Sequence, residues 1–253
     1  MKAALAILAV TKMRTGVCLA GVRPDAPAVW VRPVREHETV LLGDITYPLP
    51  SGAVTPAHAR RVMQPFDLAE LALLRPRPDP PHIEDWTCDF ARDRPCLRAV
   101  LPAAERAILL DTASATAADI WVRYTRSLGT LAVPDLSATF TRDGYTGKYE
   151  ARLSFPGQPD GIPPSIACTD LKWRALGRRL LAEQAASVAS AASGNSLQTL
   201  TLSGDTLRAA LGGAARIWLA LGSSRTHDGR HWPLIVGVHT LPDYEATIDY
   251  HQL

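Results

Sequence analysis

The chain has 253 residues and is 47% hydrophobic by the aliphatic, aromatic and sulfur set, enough to bury one large core or two small ones. Its 27 basic and 25 acidic residues leave a net charge of +2, which excludes a uniformly basic surface, so any polyanion site must come from local clustering. No segment approaches the ~18 apolar residues a membrane-crossing helix needs.

The opening "MKAALAILAVTKMRTG" has an apolar run that ends in Lys12 and Arg14, with no small-x-small cleavage site after it. It reads as a buried first strand of a cytoplasmic protein. "GVCLAGV" (16–22) and "AVWVRPV" (28–34) have strand length and are split by the turn text "RPDAP". "GDITYPL" (43–49) and "DLAELALL" (67–74) continue the series. "RPRPDPPHIED" (75–85) is too proline-rich for a helix interior or a central strand and predicts an extended surface connection.

From Leu101 to Tyr124 the text turns Ala-rich and helical, with Ser114 or Thr116 as N-cap of the second helix. "GTLAVPDLSATFTRDG" and "KYEARLSFPG" return to strands, and in the latter Tyr149, Ala151, Leu153 and Phe155 alternate with polar residues. Asp170 to about Ala192 is the longest periodic segment. Trp173, Leu176, Leu180, Leu181, Ala185 and Val188 fall on one broad stripe. "SGN" ends this helix, "SLQTLTL" predicts a strand, and "GDTLRAALGG" predicts a short helix stopped by Gly212 and Gly213. The close is strand, loop, strand ("ARIWLALG", "SSRTHDGRH", "WPLIVGVH"), followed by an acidic tail expected to pack along the outside. Strands thus cluster at about 1–75 and 128–240, and five short strands with one helix is the inventory of an OB-type barrel. The missing β-α alternation argues against a doubly wound sheet.

One stretch raises a question of chemistry. Pro159-Asp160 followed by Asp170-x-Lys172 outlines a nuclease motif, in which two carboxylates hold Mg²⁺ or Mn²⁺ and a lysine neutralises charge developing on phosphate. That chemistry needs the acid-x-lysine on a strand, so that both side chains share a face. Here a helical pattern follows at once, with Thr169 a natural N-cap and Asp170 in the first turn. The first reading is cap plus helix; a metal-dependent nuclease using Asp160, Asp170 and Lys172 is the alternative. Zinc would require His82, Cys88 and Cys96 to converge with a fourth ligand. The four cysteines form no C-x-x-C pair, so we expect reduced thiols and no metal or cofactor. "REHE" (35–38) fits a charged loop, and no G-x-S-x-G or phosphate-loop motif is present.

Cations interleaved with aromatics are the better lead. "VWVRPVRE", "DLKWR" and "SSRTHDGRHW" place guanidinium and ammonium groups beside Trp30, Trp173 and Trp232, the combination that pairs phosphates and stacks bases. Trp30 sits among valines and Trp173 on the apolar stripe, so both are expected in the core. Arg225 and Arg230 are the best exposed cations, and Trp232 is evenly placed between loop and strand.

"ILAVTKMRTGVCLAGV" and "WVRPV", through Gly16, Cys18, Ala20, Gly21, Trp30, Arg32, Pro33 and Val34, resemble the opening of bacterial dual OB-fold domain proteins. "KYEARLSF", "CTDLKWR" and "LGSSR…HWPLIVGVH" are similar to what a second barrel would carry. The Ala-rich 182–195 segment and the proline-rich bridge depart from the pattern. The resemblance implies a nucleic-acid-binding or sensing module of bacterial conflict and mobile-element settings, with no established catalytic set.

Together these readings predict a mainly β protein with some α: two tandem OB-like five-stranded barrels with a helical bridge. Residues 1–110 would hold the first barrel and the proline-rich connection, and residues 111–253 the helical bridge, the second barrel and the tail. The expected function is non-catalytic binding of nucleic acid, single-stranded or duplex, in a defence or DNA-processing system. The expected contacts are Arg14, Arg32, Arg35, Lys148, Lys172, Arg174, Arg225, Arg230 and Trp232. A protein-interaction adaptor is the second alternative, favoured by the near-neutral charge.

Overall fold

The computed structural model describes residues 1–13, 15–37, 39–48, 61–188 and 197–248. It opens with an antiparallel meander of β1 (Lys2–Lys12), β2 (Val17–Arg23) and β3 (Ala26–Val34). The predicted strand at 43–49 is instead a 3-10 turn, Leu42–Ile45, leading into the short β4 (Thr46–Tyr47), which pairs with β5 (Arg61–Val62). Asp44, in that turn, accepts from the Leu41 amide at 2.7 Å, which favours the turn over an extended ladder.

β6 (Asp67–Pro76) pairs with β1, and β7 (Asp85–Cys88) runs antiparallel to β6 and parallel to β3. The order β1-β2-β3-β7-β6 therefore returns to β1 as a closed five-stranded ring with one parallel pair, the OB-type barrel. β8 (Cys96–Val100) adds a sixth strand on β6. β1 carries the least alternation in the sequence because both its faces are buried. Leu5, Ile7 and Val10 fill the barrel, while Ala6, Leu8 and Ala9 pack outward against the second half of the molecule. A bulge between Ile7 and Ala9 shifts the phase midway.

Two helices follow, α1 (Ala103–Thr112) and α2 (Ala117–Trp121). Thr116 caps α2, and Asp119 reaches back to the Thr116 amide at 3.1 Å to complete a capping box. Then come β9 (Leu128–Val133), β10 (Ser137–Asp143), β11 (Tyr149–Ser154), β12 (Ile166–Cys168), α3 (Leu171–Val188), β13 (Leu197–Ser203), α4 (Gly204–Ala210), β14 (Arg216–Ser223) and β15 (Pro233–Leu241).

Their sheet order is β13-β10-β11-β12-β15-β14-β9, with β12 and β15 parallel. β9 and β10 are consecutive in the chain, separated by Pro134-Asp135-Leu136. They serve as two halves of one bent first strand, broken where Pro134 has no amide to donate. Hydrogen bonding leaves this sheet open between β9 and β10, and that three-residue link joins them to give the OB strand order, with α3 between its third and fourth strands and β13 as an extra edge. Trp173, Leu176 and Leu181 of α3 are buried, whereas Ala185 is exposed, so the apolar stripe ends about three turns into the helix. Gly177 lets α3 lie directly on Phe140 and Tyr149, where a Cβ would collide with both rings.

The barrels share a third core. Ala6, Leu8, Val22 and Trp30 of the first barrel meet Leu109 and Leu110 of α1 and Trp218, Ala220 and Val236 of the second. Gly237 is required here, because a Cβ on it would lie 2.6 Å from the Leu8 carbonyl oxygen. The Lys12 amide donates to Thr169 O at 2.9 Å, and Trp30 Nε1 donates to Ala113 O at 3.3 Å. α1 crosses the expected division at residue 110. Among the described residues the tail is anchored inward at two points rather than lying wholly on the outside. Tyr244 is buried in the second core and Ile248 in the first, where Ile248 exchanges two hydrogen bonds with Gln64 at 2.8 and 3.0 Å.

Candidate nucleic-acid interface

Where the barrels diverge they leave a cleft of about 680 Å³. The outer face of β1 and β2 forms one wall, through Ala9, Cys18 and Ala20, and Leu128, Leu234 and Val236 form the other. Lys12, Arg32, Arg35, Arg77 and Arg225 bring positive charge to it, against one lining carboxylate, Glu36. In an OB barrel, ligands use the face of the second and third strands with the loops after the first and fourth. In the first barrel those parts are β2, the end of β3, Met13 and Arg77, all of which line the cleft. No aromatic ring lines it among the described residues other than the imidazole of His37.

At one end the β6–β7 loop meets the β14–β15 loop, the equivalent connection of the second barrel. Arg225 Nη1 lies 2.7 Å from Asp79 Oδ2, and its Nη2 pairs with Asp85. Asp85 is fully buried and also holds Arg32, with Arg32 Nε 2.6 Å from Asp85 Oδ1. Glu84 lies 3.5 Å from Arg32 Nη2 and accepts from the Ser127 hydroxyl across the interface. The His82 and His231 rings are 5.9 Å apart, and burial beside Arg32 and Arg225 pushes the His82 imidazole down to about 3, so it stays neutral. Burial raises the Cys18 thiol above its ordinary value, so this cysteine is no thiolate nucleophile at neutral pH.

The structure brings Arg32, Arg35 and Arg225 together on the cleft, each already paired with a carboxylate: Asp85 and Glu84, Asp44, and Asp79 and Asp85. Arg14 lies outside the described residues. Arg230 and Trp232 sit on the β14–β15 loop, with Trp232 46% exposed and Arg230 without an ion pair among the described residues. Lys148 and Arg174 do not line the cleft. Lys148 pairs with Glu150 at 2.8 Å, and Arg174 lies over the Tyr149 ring, 4.7 Å from its centroid.

Lys172 requires a correction as a surface contact. It is buried under Tyr244, 4.3 Å from the ring centroid, and bound to Asp243 at 2.6 Å. Lys12 and Arg77 were passed over in the sequence, yet both line the cleft and neither has a carboxylate partner among the described residues. Arg77 instead donates to the carbonyls of Arg35 and Glu36 at 3.1 and 2.7 Å. The two residues lie far apart in the sequence, and only the fold brings their loops to one cleft.

The nuclease outline dissolves on its geometry. β12 ends at Cys168 and a helix starts at Leu171, so Asp170 and Lys172 do not share a strand face. Asp170 is itself the cap. One oxygen accepts from the Lys172 amide at 2.9 Å, and the other accepts from Val238 on β15 at 2.8 Å. Burial raises its carboxyl to about 6 against these amide bonds. Asp160 lies in the exposed turn between β11 and β12. Among the described residues no three His, Cys, Asp or Glu side chains converge as a metal would need, including His82, Cys88 and Cys96.

A family model for a dual OB-containing domain matches residues 3–178, most of the chain. The chain belongs to the dual OB-containing domain family. The match starts in β1 and stops inside α3, so β14 and β15, which complete the second barrel, lie beyond it. Searches of curated proteins and of solved structures returned no match. Among the described residues no helix of this dual OB protein is long and apolar enough to cross a membrane.

Proposed function

We propose that this dual OB protein binds single-stranded nucleic acid in the cleft between its barrels and acts on it only by binding. The observation that carries the reading is that the first barrel turns its ligand-binding face, β2 and the end of β3 with both adjoining loops, into a cleft rimmed by five cations. Apolar walls suit bases and the rim suits phosphates. The β14–β15 loop, with Arg230 and the exposed Trp232, offers a stacking and charge contact beside it. The capping role of Asp170 and the burial of Lys172 support binding without cleavage. The setting we propose, a sensing part of a bacterial conflict or DNA-processing system, rests on the family resemblance.

The test is fluorescence anisotropy with labelled single-stranded DNA, single-stranded RNA and duplex at low salt, where the phosphate contribution is largest. Saturable binding that favours single strands is expected. A flat response to all three probes overturns the reading.

A further inference from the structure

The cleft is bounded on three sides. At one end the Lys12 amide bonds to Thr169 O at 2.9 Å, and Thr11 bridges to Asp170 beside it. At the other end Arg225 spans the barrels to Asp79 and Asp85. Beneath lies the shared apolar core. A strand lying across an OB barrel must enter on one side and leave on the other, and sites of that kind cover about 4–16 nucleotides per barrel. This cleft has barrel-to-barrel contacts where both exits would be. Its volume of about 680 Å³ falls in the range of small-ligand pockets.

Its lining points the same way. Continuous strand binding depends on aromatic shelves for successive bases, whereas the walls here are aliphatic. Of the lining cations, only Lys12 and Arg77 lack carboxylate partners among the described residues.

We infer that the cleft takes one phosphorylated nucleotide unit with a free end, its base between the aliphatic walls and its phosphate toward Lys12 and Arg77. This rests on the nucleic-acid reading above. The unit can come from the terminus of a strand or from a free nucleotide, and the two sources separate experimentally.

The experiment compares a linear single-stranded oligonucleotide carrying a terminal phosphate, the same sequence ligated into a circle, and a nucleoside monophosphate as competitor, on the full chain. The linear probe should bind at least tenfold more tightly than the circle, and the monophosphate should displace it. Binding of the monophosphate with neither oligonucleotide supports the cleft assignment and identifies free nucleotides as the source. Equal affinity for circle and line overturns the end-binding inference and leaves single-strand binding standing. Silence from all three probes overturns both. Lys12→Glu and Arg77→Glu change exposed side chains, the second also removing two carbonyl contacts, and an unchanged thermal midpoint checks that each variant is folded. Each should weaken the linear probe by about tenfold and the circle by clearly less, since the circle has no terminal phosphate to lose contact with these cations. Equal weakening of both probes would place these cations on a through-going strand and overturn the inference.

Discussion

Asp85→Ala separates scaffold from rim within a single ion network. Asp85 is fully buried, and its carboxylate binds Arg32 through a 2.6 Å contact and Arg225 through its other oxygen. Truncation leaves Arg32, with only 9% of its side chain exposed, facing Glu84 at 3.5 Å and the Ser127 hydroxyl at 3.5 Å. Breaking a buried pair from one side costs about 3–5 kcal/mol, because a charge stays buried without its partner. Glu84 supplies partial compensation, so we expect about 3 kcal/mol. Arg225→Ala removes the same carboxylate's second cation, but that side chain is 51% exposed. Water and salt screen it, which limits the loss to about 1 kcal/mol or less.

Urea unfolding of the two variants measures both values. The shared core between the barrels predicts one transition with unchanged slope. A loss below about 1 kcal/mol for Asp85→Ala, or equal losses for both variants, would refute the division between a buried Arg32–Asp85 strut and a rim arginine. The same division predicts that Arg225→Ala weakens oligonucleotide binding while the fold is kept.

Asp170→Ala leaves the Lys172 and Val238 amides without their acceptor, and should cost about 3 kcal/mol in thermal or chemical denaturation; a neutral effect would show that Asp170 is not the cap. Burial, reinforced by Lys172, depresses the His239 imidazole to about 4. Because that folded value lies below the unfolded one of about 6.5, its contribution to stability is whole above pH ~6.5 and falls as pH drops toward 4, by up to about 3 kcal/mol. Asp170, raised to about 6, acts in the opposite sense across much the same window, so the comparison must be with His239→Leu at each pH. Denaturation midpoints of the two proteins should diverge below pH ~6, and a constant difference would refute the assignment. Trp232→Ala, on an exposed loop residue, should change stability by less than about 0.5 kcal/mol yet weaken single-strand binding by about 1 kcal/mol or more, read by anisotropy; unchanged affinity would remove Trp232 from the interface.

Much of the fold was legible in the sequence because its strands carry apolar text between turn residues. β1, β2, β3, β6, β11, β14 and β15 each lie close to a predicted run, and of the two caps the sequence offered for α2, Ser114 and Thr116, the structure uses Thr116. β7 and β8 were not. β7 is four residues long at the end of a proline-rich stretch, and it is a strand because β3 and β6 hold it on both sides. β8 is only five residues long and largely exposed, so its apolar text, Cys96 to Val100, does not mark a buried face. Long-range pairing supplies such strands, and local propensity does not record it. The tail misled for a related reason: Tyr244 and Ile248 sit in acidic, polar text, yet each fills a gap in a different core.

The site was legible only in its residue types. Sequence shows where a cation is but not which acid stands behind it, and here acids stand behind most of them. Arg32, Arg35, Lys148, Lys172 and Arg225 are each paired, and these pairs help hold the barrels and loops in place. With 27 basic against 25 acidic residues there is an acid for nearly every cation, and three of the five cleft cations are taken up by one. The free positive charge at the cleft comes down to Lys12 and Arg77, with Arg230 on the neighbouring loop. A polymer lying across the molecule would release counterions from many phosphates, about 0.7 per phosphate for single strands. Two or three available cations imply a salt dependence of order one to two in log–log slope. A shallow slope with tight binding is the signature of a terminus held in a shaped cleft, and a steep slope would mean that cations counted here as paired exchange their carboxylates for phosphates.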